Sequence, residues 1–136
     1  MRPSEIFLSH ASADRQLADR LVGTLRRHDL SVWYSPTEIV GAQQWHDEIG
    51  AALDRCDWFV VLLTPASVES MWVKRELLFA LQQNRYANHI VPLLVEPCDY
   101  GRLSWVLPSL QIVDMQVDFE EGCRQLLRVW GIGYRS

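Results

Sequence analysis

The segment Asp57–Leu63, DWFVVLL, sets six apolar residues behind one aspartate with no polar alternation. A strand with one wet face alternates polar and apolar side chains. A strand without alternation is covered on both faces, as in a parallel sheet flanked by helices. Working outward, the chain alternates short apolar runs with stretches of helical period. IFLSH (6–10) reads as a first strand. From Asp14 the residues Leu17, Ala18, Leu21, Val22 and Leu25 form a helical stripe. SVWYS (31–35) is a second strand, and the loop SPTEIVGAQQ (35–44) carries a proline and a glycine. Trp45, Ile49, Ala52 and Leu53 mark a second helix ahead of the DWFVVLL strand. TPASVES (64–70) leads into the helix MWVKRELLFALQQ, and HIVPLLV (89–95) is a fourth strand. EPCDYGRLSWVLPSL is an irregular link, QIVDM a short fifth strand, and the last helix runs from about Phe119 to Trp130. Repeated strand–helix units imply right-handed crossovers. The expectation is a three-layer, flavodoxin-like α/β fold, with a mainly parallel sheet of about five strands and helices on both faces.

The 136 residues, 49% of them hydrophobic, fit one domain with a real core and exclude disorder. The expected domain covers 1–136, as the N-terminal module of something longer. Net charge is −4 without a basic block or basic aromatic stripe, which speaks against nucleic acid as a partner. The longest apolar run, Trp58–Leu63, is far too short to span a bilayer, so no membrane partner is expected. MRPSEIFLSH lacks the apolar core of a signal peptide, and a cytoplasmic location follows by default. Cys56, Cys98 and Cys123 match no zinc or redox spacing and read as reduced thiols. WHDEIG has no second histidine one turn on, so no metal site is expected.

Ligands of open α/β sheets bind beyond the carboxyl ends of the strands. Here those ends are Ser9–Ser12, Ser35–Glu38 and Thr64–Ser67. Their hydroxyls and backbone N–H groups suit phosphates, and equally suit helix capping. Glu76 stands within the first two turns of its helix, and helical side chains lean toward the helix N-terminus. Its carboxylate therefore aims back at the same rim, with Trp72 one turn nearer to it. Two readings stay open: an acid matched to the helix dipole, or a carboxylate against an aromatic wall in a cleft. A receiver domain needs an acidic pair and a phospho-acceptor aspartate at the strand ends, and the first strand here ends Ser-His. No glycine-rich turn follows that strand, so dinucleotide-binding and P-loop sites are excluded.

The residues resemble the TIR (Toll/interleukin-1 receptor) domain family, bacterial members in particular. EIFLSHASAD resembles the family's first strand and FISYS…D motif, with His10 where tyrosine is common. SVWYSPTEIVGAQQW resembles the second strand and the BB loop, including Gly41. Where the family often has an acid directly after that strand, this chain has Ser35, and Glu38 is the nearest acid. IGAALDRCDWFVVLLTPASVESMWVKREL resembles the next helix, the central strand and the S-x-W-x-x-x-E signature. The resemblance implies NAD+ as substrate rather than cofactor, cleaved at the nicotinamide–ribose bond with Glu76 catalytic. Ser9, His10, Trp33, Ser35, Glu38 and Trp72 are then the expected substrate-binding residues. It further implies activation by head-to-tail self-assembly with other TIR protomers, and a bacterial defence or cell-suicide role. The alternative it implies is a non-enzymatic adaptor that recruits further TIR domains. Hydrolysis would give ADP-ribose and internal attack a cyclic product.

Overall fold

A computed structural model of the chain describes residues 2–35 and 42–135, with the side chains of 42–45 outside the description. Five strands form one all-parallel sheet: β1 (Ile6–Ser9), β2 (Val32–Tyr34), β3 (Trp58–Leu63), β4 (Ile90–Leu94) and β5 (Val113–Asp114). Their order is β2-β1-β3-β4-β5. The helices are α1 (Arg15–Arg27), α2 (Ala42–Arg55), a single turn α3 (Pro65–Val68), α4 (Met71–Leu81) and α5 (Phe119–Val129). This is the three-layer arrangement expected from DWFVVLL, and all six residues of β3 are buried.

Register sorts the side chains into two cores. Ile6 pairs with Trp58 and Phe7 with Phe59. On one face Ile6, Leu8, Val60 and Leu62 pack with Leu21 and Leu25 of α1 and Leu126 and Leu127 of α5. On the other Phe7, Phe59, Val61 and Leu63 pack with Ile49 and Leu53 of α2 and Val73 and Leu77 of α4. The strand period of two produces the split. The sheet order explains which helix goes where. The chain steps from β1 to β2 in one direction and from β2 through β5 in the other. Right-handed crossovers then put α1 on one face and α2 and α4 on the opposite one.

The link between β4 and β5 contains two short 3₁₀ turns, Tyr100–Arg102 and Leu107–Ser109, whose Leu103 and Leu107 are buried in the α2/α4 core. The sequence shows them only as an irregular stretch, because a single 3₁₀ turn has too few residues to display a period. Gly131 adopts φ +70° just past α5, the left-handed cap that glycine supplies without strain. Cys56 and Cys123 are buried, Cys98 is partly so, and all three are free thiols. Among the described residues no helix is long and apolar enough to cross a membrane.

Candidate functional site

Glu76 is the sixth residue of α4, whose N-cap Ser70 accepts a hydrogen bond from the Val73 N–H. The helix dipole acts mainly in the first turn, and no acid occupies that turn. The dipole therefore does not account for Glu76. Nor is the side chain solvated at an edge: it is 6% exposed. Its partner is Ser9, the last residue of β1, whose Oγ donates to Glu76 Oε1 at 2.7 Å. Ser9 shares the sheet face of Phe7 two residues earlier, so it stands where the α2/α4 core reaches the carboxyl rim. The other carboxyl oxygen has no hydrogen-bond partner among the described residues. Burial penalises the charged form and lifts the Glu76 pKa to about 7, and the Ser9 hydroxyl pulls it only partly back.

That carboxyl borders a cavity of about 290 Å³ between α2 and α4. From α2 come His46, Ile49, Gly50, Leu53 and Asp54; from α4 come Trp72, Arg75, Glu76 and Phe79. Both sets recur at three- and four-residue intervals, one face of each helix. Facing stripes of this kind normally interdigitate, but Gly50 contributes no side chain, and a Cβ built there meets nothing within 4 Å. The wall is mostly apolar, so it strengthens electrostatic interactions with the carboxylate. Trp72 is half-buried. Its ring lies 6.5 Å from the His46 ring, and the Arg75 guanidinium sits 5.5 Å from its centroid.

The sequence-predicted residues divide. Glu76 and Trp72 border the cavity and Ser9 joins them through its hydrogen bond. His10 turns to the β2 side, with Nδ1–H donating to the Ala11 carbonyl at 2.8 Å and its ring 5.9 Å from Tyr34. Burial lowers its pKa, and Nε2 has no partner among the described residues. Trp33 stacks on Phe7 at 5.0 Å in the α2/α4 core. Ser35 accepts a hydrogen bond from the Arg15 guanidinium through its carbonyl. None of these three is among the described walls of the cavity. Glu38 and Gly41 lie outside the described residues. The choice between phosphate binding and capping at Thr64–Ser67 resolves toward capping. Thr64 and Ser67 form a reciprocal capping box at α3, and Thr64 Oγ1 donates to Asp14 Oδ2 at 2.6 Å. Sequence reasoning missed the α2 wall. Its signal was available in the spacing of His46, Ile49, Gly50 and Leu53, a helix face with a small residue at its centre.

The TIR domain sequence profile matches residues 6–127, nearly the whole chain. The chain belongs to the TIR domain family. Solved structures agree on the fold. The TIR domain of the Toll-related receptor TRR-2 from the lower metazoan Hydra magnipapillata is similar, with TM-score 0.74 and 18% identity over 91% of this chain and 95% of that one. The TIR domains of the activated Roq1 resistosome, which directly recognizes the pathogen effector XopQ, give TM-score 0.73 and 16% identity over 93% and 99%. No curated protein sequence matches this TIR domain.

Proposed function

We propose that this TIR domain cleaves NAD+ at the nicotinamide–ribose bond, with Glu76 as the catalytic carboxylate. The observation that carries the proposal is a buried carboxyl at a cavity, one oxygen held by Ser9 and the other without a hydrogen-bond partner among the described residues. Burial raises the free energy of the ionised form there. A carboxyl whose ionisation is opposed by burial costs the fold stability above neutral pH, and perturbed acids of this kind concentrate at functional sites.

The chemistry needs one carboxylate. Ordinary glycosidases use two, because a poor leaving group has to be protonated. The nicotinamide of NAD+ is a cationic pyridinium. When its bond to ribose C1′ breaks, nicotinamide takes the bonding pair and leaves neutral, so no acid is required. Positive charge develops on the ribose, and the Glu76 carboxylate stabilises it and accepts hydrogen bonds from the ribose hydroxyls. Trp72 shapes the wall. Water then adds at C1′ and loses a proton to give ADP-ribose, or a nucleophile of the same molecule adds to give a cyclic product. His10, Trp33, Ser35 and Glu38 enter this reading as substrate contacts completed on assembly. Head-to-tail contact, with one protomer's BB loop meeting its neighbour's site, is heterologous and propagates into filaments. The proposal extends to a bacterial-type defence or cell-suicide effector working in the cytoplasm, supported by the motif resemblance.

The rival reading is a non-enzymatic TIR–TIR adaptor. Trp105, 86% exposed on the β4–β5 link, favours it, since exposed tryptophans anchor interfaces. Incubating concentrated, assembled protein with NAD+ and measuring free nicotinamide separates the two. Release by the wild type and its loss in Glu76→Gln supports the enzyme. Release that survives the substitution refutes the role of Glu76, and no release from assembled wild type leaves the adaptor.

A further inference from the structure

We propose that Arg75 binds the diphosphate of the substrate at the mouth of the α2/α4 cavity, and so makes the site selective for a dinucleotide over its nucleoside. This inference rests on the NAD+ reading of the same cavity and adds a residue to it. The first observation is size. At about 290 Å³ the cavity is at the lower limit for small-molecule sites, roughly 300 Å³ upward. It accommodates the nicotinamide–ribose half of the substrate beside Glu76. The diphosphate and adenosine must then extend past the opening.

The second observation is the state of the cations there. Arg75 borders the cavity yet is exposed, so it stands at the opening. Among the described residues six arginines pair with a carboxylate: Arg15 with Asp19, Arg55 with Glu5, Arg85 with Asp54, Arg102 with Glu69, Arg124 with Glu120 and Arg135 with Asp29. Arg75 has no carboxylate partner among the described residues. Its guanidinium lies over the face of Trp72, 5.5 Å from the ring centroid. Lying over the ring limits the positions open to the guanidinium, and no carboxylate among the described residues competes with an anion for its N–H groups. Asp54, the acid that α2 contributes to the cavity lining, pairs with Arg85 at 3.7 Å.

The third is geometry along α4. Arg75 and Glu76 are adjacent, about 100° apart around the helix. A ribose held at Glu76 thus has its 5′-phosphate within reach of the guanidinium. Arginine suits the task because its fork matches phosphate oxygens two at a time.

The test compares NAD+ with nicotinamide riboside, which has the scissile bond and no phosphate, on assembled wild-type, Arg75→Ala and Arg75→Lys protein. Nicotinamide release gives kcat and KM, and titration calorimetry gives binding of each compound. Arg75→Ala should raise KM and Kd for NAD+ about tenfold, the loss of one charge-assisted contact, and leave nicotinamide riboside within twofold. Arg75→Lys should fall between. If Arg75→Ala weakens both compounds equally, or neither, the proposal is overturned while catalysis by Glu76 stands. If wild type binds NAD+ in an Arg75-dependent way without releasing nicotinamide, Arg75 keeps its role and the enzymatic reading fails. Wild type that neither binds nor cleaves NAD+ overturns both.

Discussion

Replacing Glu76 by Gln should make the protein more stable, and increasingly so as pH rises. The folded chain holds this carboxyl at about 7 against an ordinary 4.5. Well below pH 4.5 both folded and unfolded chains keep the proton and stability is full. As pH rises toward 7 the unfolded chain ionises first, so stability falls, and above 7 the loss is complete. The gap corresponds to at most about 3 kcal/mol at ~1.4 kcal/mol per pH unit, an upper bound because water entering the cavity screens the charge. Glutamine is nearly isosteric, stays neutral throughout, and its amide oxygen still accepts the Ser9 hydroxyl. At roughly 2.1 cal/mol/K per residue over 136 residues, the unfolding entropy is about 290 cal/mol/K, so the full term moves Tm by about 10 °C. Paired thermal melts of wild type and Glu76→Gln should therefore differ by up to about 10 °C at pH 8 and by no more than about 3 °C at pH 5. An equal shift at both pH values, or none at pH 8, would refute the claim that burial opposes ionisation here.

The remaining expectations follow from the same geometry. Because the ionised form is the reactive one, nicotinamide release should climb with pH through about 7 and level off above it, as a pH–rate profile would show. Ser9→Ala removes the one group that favours the carboxylate, so it should push that midpoint upward and cost about 1–2 kcal/mol of stability at pH 8 in urea titrations. Gly50→Leu should fill the cavity and cut release at least tenfold by blocking entry, with Tm unchanged or slightly raised, since helix propensity gains about 1 kcal/mol, a Cβ there meets nothing within 4 Å and the side chain extends into the cavity. Gly122→Ala should do the reverse. A Cβ there falls 2.4 Å from Met115 Cγ and 2.9 Å from its Cβ, so urea titration should show a loss of about 1–3 kcal/mol despite the better helix former.

The architecture was legible because its signals are periodic. Trp58–Leu63 shows burial on both faces, and the α1 stripe from Leu17 to Leu25 shows one covered side. The lean of helical side chains was enough to aim Glu76 at the rim, and the Ser9 contact 67 residues away bears the direction out. What sequence reasoning missed depends on the other helix. Ile49 and Leu53 read as plain core, and nothing local says that the facing positions of α4 stop short of filling the space above Gly50. The start of α4 after Ser70 was legible, but the single turn α3 before it escaped notice for a related reason. Thr64 and Ser67 cap a turn that ends within four residues, shorter than any window that reveals a helical period.

The topology also explains why the hollow forms where it does. The sheet order reverses at β1, so the crossover leaving β1 departs to one face while α2, crossing from β2 to β3, passes over the other. Ser9 ends β1 beneath that crossing, and α4 descends beside it from β3. Filling the space would take a larger side chain at position 50 and an apolar one at position 76. Either change would favour stability at neutral pH. The chain has instead the smallest residue on one wall and a buried acid on the other, two local choices that work against packing and agree with each other. Conflicts with folding that coincide at one rim of the sheet are what a site under functional constraint produces. If Gly50→Leu and Glu76→Gln each stabilise the protein at pH 8 and the double variant gains nearly their sum, the two residues sustain one hollow at a common cost to folding. If filling position 50 destabilises instead, the space above Glu76 is already occupied in the folded protein, and the cavity cannot be where a substrate enters.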